Sequence, residues 1–107
     1  MLNFISSTKK CPYVYMCTER ETGRFYIGYR YRNYLPSSED FGKIYFTSNS
    51  YVKENFDSFD HQIIAEFFDK KAAYKFETDF INETKSDLQI NSDKFKKLIG
   101  MKYNKII

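Results

Sequence analysis

The chain has 107 residues, of which 42% are hydrophobic. That is enough for one compact domain with its own core and not comfortably for two, so a single domain is predicted over 1–107, with its core at about 11–95. A net charge of +3 suits a polyanionic partner without demanding one. No apolar run approaches the roughly 20 residues that span a bilayer, and Met1 to Lys10 lacks the apolar stretch of a signal peptide, so an intracellular, cytoplasmic protein is expected.

In chain order, Cys11 to Thr18 is rich in β-formers, and Arg24 to Arg30 is a second such run beyond the polar stretch ending at Gly23, which predicts a hairpin. Cys11 and Cys17 fall on one face of the first strand about 20 Å apart, too far to bridge. With His61 as the one histidine they make no zinc site, so both thiols read as reduced and structural. Residues 33–50 lack sustained periodicity and read as a surface loop or irregular crossover, with a little strand near Ile44 to Phe46. Ser50 is the predicted N-cap of a short helix with Val52 and Phe56 on its inner face. Gln62 to Phe68 reads as a third strand buried on much of both faces. The clearest helix runs from the cap Asp69 to about Thr84, because Ala73, Phe76, Phe80 and Ile81 form one apolar stripe. A last short helix is predicted from the cap Ser92 to Gly100, carrying Phe95, Leu98 and Ile99. Most of the aromatic side chains, 10 Tyr and 11 Phe, are assigned to the core.

If the hairpin closes around Arg20 and Glu21, Tyr15 faces Tyr26, and alternation puts Tyr26, Gly28 and Arg30 on one side of the second strand. The plain reading is a cross-strand aromatic pair worth about 0.2–1 kcal/mol. Glu77 points further. It lies inside the apolar stripe of its helix, away from Lys71, Lys75 and Asp79, and a carboxylate there is costly unless paired, hydrogen-bonded or bound to metal. A salt bridge to an arginine such as Arg30 would satisfy it. So would Mg²⁺, which commonly takes one carboxylate from a protein and fills its other positions with phosphate and water.

Tyr13-Val-Tyr15 and Tyr26-Ile-Gly28, with Gly23 in the polar turn between them, resemble the paired motifs of GIY-YIG nucleases. Phe25 to Arg30, then Asn33, Pro36-Ser-Ser-Glu-Asp40 and Tyr45-Phe-Thr-Ser48, is similar to a phage-type branch related to homing endonucleases. Ala73-Tyr-Lys-Phe-Glu77 resembles that family's glutamate helix, and Asn91 its late asparagine; the similarity covers roughly 11–95. The resemblance implies a small α/β fold, a mixed central sheet of about three strands flanked by helices. It also implies an endonuclease that hydrolyses DNA phosphodiester bonds with Mg²⁺ or Mn²⁺ on Glu77. Tyr15 and Tyr26 would flank the attacking water, one of them accepting its proton. Arg30 would clamp a nonbridging oxygen, and Asn91 would hold the scissile backbone or orient the site; Tyr13, Arg32 and Tyr45 complete the expected substrate contacts.

Two positions depart from the family pattern. Its usual helix arginine falls on Pro36 here, which passes the role to Arg30 or Arg32 or leaves it empty. His61, at the start of a core strand, reads as structural, so Tyr45, Tyr31 or Tyr34 would take the family histidine's place. These departures keep a rival reading open, a degenerate module that binds DNA or a host protein without cutting. Family members often append a DNA-binding domain, whereas 16 residues follow Asn91 here. Weak, salt-sensitive binding with little sequence preference is therefore expected, with any specificity supplied by a second copy of the chain or a protein partner.

Overall fold

The computed structural model describes residues 10–91, so the helix expected from Ser92 lies outside the described residues. Three runs of β-formers pair into one sheet, β1 (Tyr13–Glu19), β2 (Phe25–Arg30) and β3 (Phe59–Glu66), in the order β2-β1-β3. Between β2 and β3 lie two short helices, α1 (Ser37–Asp40) and α2 (Ser50–Glu54), and a single 3₁₀ turn over Phe56–Ser58; α3 (Lys70–Glu83) follows β3. This is the expected α/β fold with three central strands. Its sheet is not mixed, because β1 pairs antiparallel with both neighbours. The parallel pairings among the described residues are isolated bridges, Phe25 with Gln89 and Phe41 with Tyr45; the latter is all that appears of the strand expected near Ile44 to Phe46.

The hairpin turn is longer than the sequence suggests. Gly23 adopts a left-handed φ of 79°, which a residue without a Cβ takes at little cost. Glu19 accepts from the Gly23 N–H at 2.8 Å and donates its own N–H to the Arg24 carbonyl at 2.7 Å. Paired positions consequently sum to 43 instead of 41, so that Tyr15 faces Gly28 and Cys17 faces Tyr26. A shift of two residues leaves every side chain on its original face. Tyr15, Tyr26 and Arg30 thus still share one side of the sheet.

That register explains the glycine of the Tyr26-Ile-Gly28 motif. A Cβ on Gly28 would collide with the Tyr15 hydroxyl and lie 2.5 Å from its Cζ. Gly28→Ala is expected to destabilise the domain by about 1–3 kcal/mol, as overpacking does in cores that cannot yield. Urea unfolding measures it, and an unchanged midpoint would mean that the Tyr15 ring moves aside freely.

The sheet divides the core in two. On one face Tyr13, Tyr15 and Cys17 pack with Val52, Phe59 and Ile90; on the other Val14 and Ile27 meet Ala73 of α3, with Phe76, Phe80 and Ile81 beside it. α3 starts where predicted because the Asp69 carboxylate accepts from the Ala72 N–H at 2.8 Å. For α2 the cap is Asn49, which accepts from the Val52 N–H at 3.0 Å, so Ser50 is already the first helical residue. β3 begins three residues earlier than expected, since Phe59 and Asp60 pair with Glu19 and Thr18. As an edge strand it is only partly covered, and His61 and Gln62 are exposed. The opposite edge, β2, is covered by 88–91. Phe25 donates its N–H to the Leu88 carbonyl and accepts from the Ile90 N–H. No disulfide joins the two cysteines; Cys17 is fully buried.

Candidate active site

β1 and β2 place Tyr13, Tyr15, Tyr26 and Arg30 on one face of the sheet, where Tyr13 and Arg30 meet a buried carboxylate. Arg30, the last residue of β2, is cross-strand partner of Tyr13. Its Nε lies 3.0 Å from Asp40 Oδ2 and its Nη2 3.3 Å from Oδ1, a bidentate pair. The Tyr13 hydroxyl donates to the same Oδ2 at 2.6 Å. Asp40 ends α1 and is 1% exposed. Two donors converge on it, as a carboxylate at that depth requires. The Arg30 guanidinium also lies 4.6 Å from the Tyr45 ring centre.

Tyr15 is the hub of this face. Its ring is 0% exposed and packs 4.6 Å from Phe41 and 6.2 Å from Tyr26. Its hydroxyl lies 3.1 Å from that of Tyr45 and 2.9 Å from Thr47 Oγ1. Thr47 sits at φ 115°, a conformation a β-branched residue rarely adopts. Such local strain persists where surrounding structure fixes a side chain, and here it is the hydroxyl held on Tyr15. Ser48 lies near enough to the Tyr26 phenol to favour its ionised form, against the larger effect of burial.

Burial pushes the pKa of Tyr13, Tyr15 and Tyr26 upward. Arg30 opposes the rise for Tyr13 only weakly, since Asp40 already pairs with it. Burial thus disfavours the phenolate that a tyrosine accepting a proton from water would leave behind. Tyr13 and Tyr15 are 0% exposed, and Tyr26 is the one of the three that is only half-buried.

Glu77 lies on α3, beyond β2, near enough for its charge to raise both the Tyr26 and the Tyr29 phenols. Among the described residues no donor or cation pairs with its carboxylate. The salt bridge to Arg30 is not formed, because Asp40 takes that guanidinium. Desolvation pushes the Glu77 carboxyl up to about 7. A half-buried carboxylate with unmet acceptor capacity fits a hard cation that accepts one protein oxygen and completes its shell with phosphate and water. No cluster of three or more His, Cys, Asp and Glu capable of holding a metal occurs among the described residues, so Glu77 would be the single carboxylate ligand.

The raised pKa also sets a pH dependence of stability. Below about 4.5 both folded and unfolded Glu77 are protonated. As pH rises, the unfolded chain loses the proton first, so stability falls up to the folded value of about 7 and the penalty is complete above it. Glu77→Gln should remove that penalty. After allowance for solvent screening, a gain of about 1–2 kcal/mol at pH 8 and none at pH 4 is expected from paired thermal melts. Equal gains at both pH values would show that the carboxyl is not desolvated.

The remaining predicted residues divide. Asn91 faces the β2 backbone. Its Oδ1 accepts from the Ile27 N–H at 2.8 Å and its Nδ2 donates to the Ile27 carbonyl at 2.7 Å, clamping the outer edge of β2 between Tyr26 and Gly28. Arg32 is exposed, away from the tyrosine cluster, with its Nε 3.4 Å from the Tyr31 hydroxyl. His61 is exposed, but its ring stacks on Phe56 at 3.8 Å and Nε2 meets the Phe56 carbonyl at 3.0 Å, a structural role. Sequence reasoning gave no role to Asp40, Thr47 or Ser48. The one signal was their place in the segments Pro36 to Asp40 and Tyr45 to Ser48.

No family model, curated protein or solved structure matches the chain. No helix among the described residues is long and apolar enough to cross a membrane.

Proposed function

We propose that this chain is a metal-dependent endonuclease of GIY-YIG type that hydrolyses DNA phosphodiester bonds beside Tyr26 and Glu77. The observation that carries the reading is Glu77, a half-buried carboxylate without a protein partner among the described residues, beside Tyr26 and a hydrogen-bonded tyrosine cluster. Perturbed carboxyls of this kind gather at functional sites. Mg²⁺ or Mn²⁺ held by Glu77 would offset charge on the phosphate and on the leaving 3′ oxygen. Tyr26 donates its phenolic hydrogen bond toward the reacting group, and Tyr15, Tyr45 and Thr47 fix the ring that packs beside it. Arg30 presents Nη1, the guanidinium nitrogen that Asp40 does not engage. Asn91 holds the β2 backbone that carries Tyr26. Sequence preference is low or supplied by a partner, which can be a second copy of the chain.

Supercoiled plasmid incubated with the protein in Mg²⁺ and in excess chelator tests this. Nicked or linear product in Mg²⁺ alone is expected; intact plasmid in both would remove the nuclease reading. One observation favours a second reading, a non-cutting DNA- or protein-binding module. Arg30 spends two of its three nitrogens on Asp40, which leaves less of it for phosphate than a catalytic arginine usually offers.

A further inference from the structure

Beside the start of β1 and the β3–α3 connection lies a cleft of about 930 Å³, lined among others by Pro12, Tyr31, Phe67 and Phe68. Phe68 is 102% exposed, a large aromatic without apolar cover among the described residues. Three cations surround the cleft, each resting on a tyrosine. Lys70 Nζ is 4.1 Å from the Tyr31 ring centre, Arg32 Cζ is 5.5 Å from the same ring, and Lys10 Nζ is 5.8 Å from that of Tyr34. None of the three has a carboxylate partner among the described residues. The two acids of the cleft wall are engaged internally. Glu66 accepts from the Ser37 N–H and hydroxyl, and Asp69 caps α3. In the cleft wall the charges of Lys10 and Lys70 stand against those of Glu66 and Asp69, and Arg32 beside it adds one further cation.

The aromatic surface continues from the cleft toward the candidate active site. Tyr31 stacks on Tyr29 at 5.5 Å and 25°, Tyr29 contacts exposed Tyr74 at 5.7 Å, and the Tyr29 phenol feels the charge of Glu77. Alternating ring faces and unpaired cations are what an unpaired nucleic-acid strand requires. Bases stack on aromatic planes without regard to sequence, and phosphates meet Lys and Arg. A duplex keeps its base faces covered and has no use for them.

We propose that the cleft and the Tyr31–Tyr29–Tyr74 ladder bind a single-stranded segment of DNA and lead it to Glu77, so that the substrate is DNA with an unpaired or frayed strand. The proposal deepens the nuclease reading and rests on it for the direction of travel, but the binding step is measurable alone. In the Glu77→Gln background, a labelled oligodeoxythymidine should bind more tightly than a duplex of equal length. Phe68→Ala with Tyr31→Ala should weaken the single strand about tenfold or more and the duplex little, and Phe68→Ala alone, at a fully exposed side chain, should leave the fold unchanged. Lys70→Glu should flatten the dependence of log K on log salt for the single strand, where each neutralised phosphate contributes a slope of about −0.7. Equal affinity for single strand and duplex, binding indifferent to Phe68 and Tyr31, or no binding of the single strand would each overturn the proposal. Phe68-dependent binding by a protein that never cuts plasmid would sustain the cleft and sink the nuclease reading. Cleavage with cleft-independent binding would do the reverse.

Discussion

Arg30→Ala is expected to lose about 3–5 kcal/mol of stability, because it leaves the Asp40 carboxylate buried with Tyr13 as its one remaining side-chain donor. For a domain of this size that is a large part of the total. Thermal unfolding should fall by more than about 10 °C, and cleavage by the fraction that remains folded should fall by orders of magnitude. Arg32→Ala, at an exposed side chain, should change stability by less than about 0.5 kcal/mol and lower activity much less than Arg30→Ala does. The double variant Arg30→Met with Asp40→Leu separates the two roles, since replacing a buried ion pair by apolar side chains of similar size is often neutral. It should recover stability without recovering cleavage. Recovery of both would make Arg30 purely structural, and small, equal losses for Arg30→Ala and Arg32→Ala would mean that neither supplies a catalytic arginine.

Glu77→Gln should reduce Mg²⁺-dependent cleavage at least about a hundredfold, comparable to removal of a charge-stabilising group from other hydrolytic sites. The fold should persist, because the carboxylate makes no hydrogen bond or ion pair that glutamine would break among the described residues. Near-UV circular dichroism of the variant should match the parent. A folded Glu77→Gln protein that cuts at the parental rate would remove the metal role of Glu77, whatever else the domain does.

The periodic elements were legible before any coordinates. The stripe Ala73, Phe76, Phe80 and Ile81 specified α3 and its inner face, and period-two alternation placed Tyr15, Tyr26 and Arg30 on one side of the sheet. The hairpin register was not legible, because Gly23 in a left-handed conformation lengthens a turn that composition alone centres one residue earlier. Since the slip was even, the grouping of site residues survived it. Asp40 was hidden for another reason. It follows an irregular segment with no periodicity, and only tertiary packing brings its carboxylate beneath Arg30 and Tyr13. The direction of the tyrosine pKa shifts was equally beyond sequence. A nearby arginine suggests activated phenols, yet burial raises them, and the positive charge is already paired with Asp40. Asn91 was singled out to hold the scissile backbone or orient the site, and sequence gave no sign that both its side-chain hydrogen bonds go to the Ile27 backbone.

The most direct test of Glu77 as the cation centre is the titration of its side-chain carboxyl by carbon-13 NMR, in chelator and in Mg²⁺. Without metal the carboxyl should titrate near 7, where desolvation beside Tyr26 and Tyr29 holds it. Mg²⁺ competes with the proton for the same oxygens, so its addition should move the titration to lower pH, with a shift that grows with metal concentration. A carboxyl that titrates in the ordinary glutamate range, or one that stays near 7 in saturating Mg²⁺, would contradict the account.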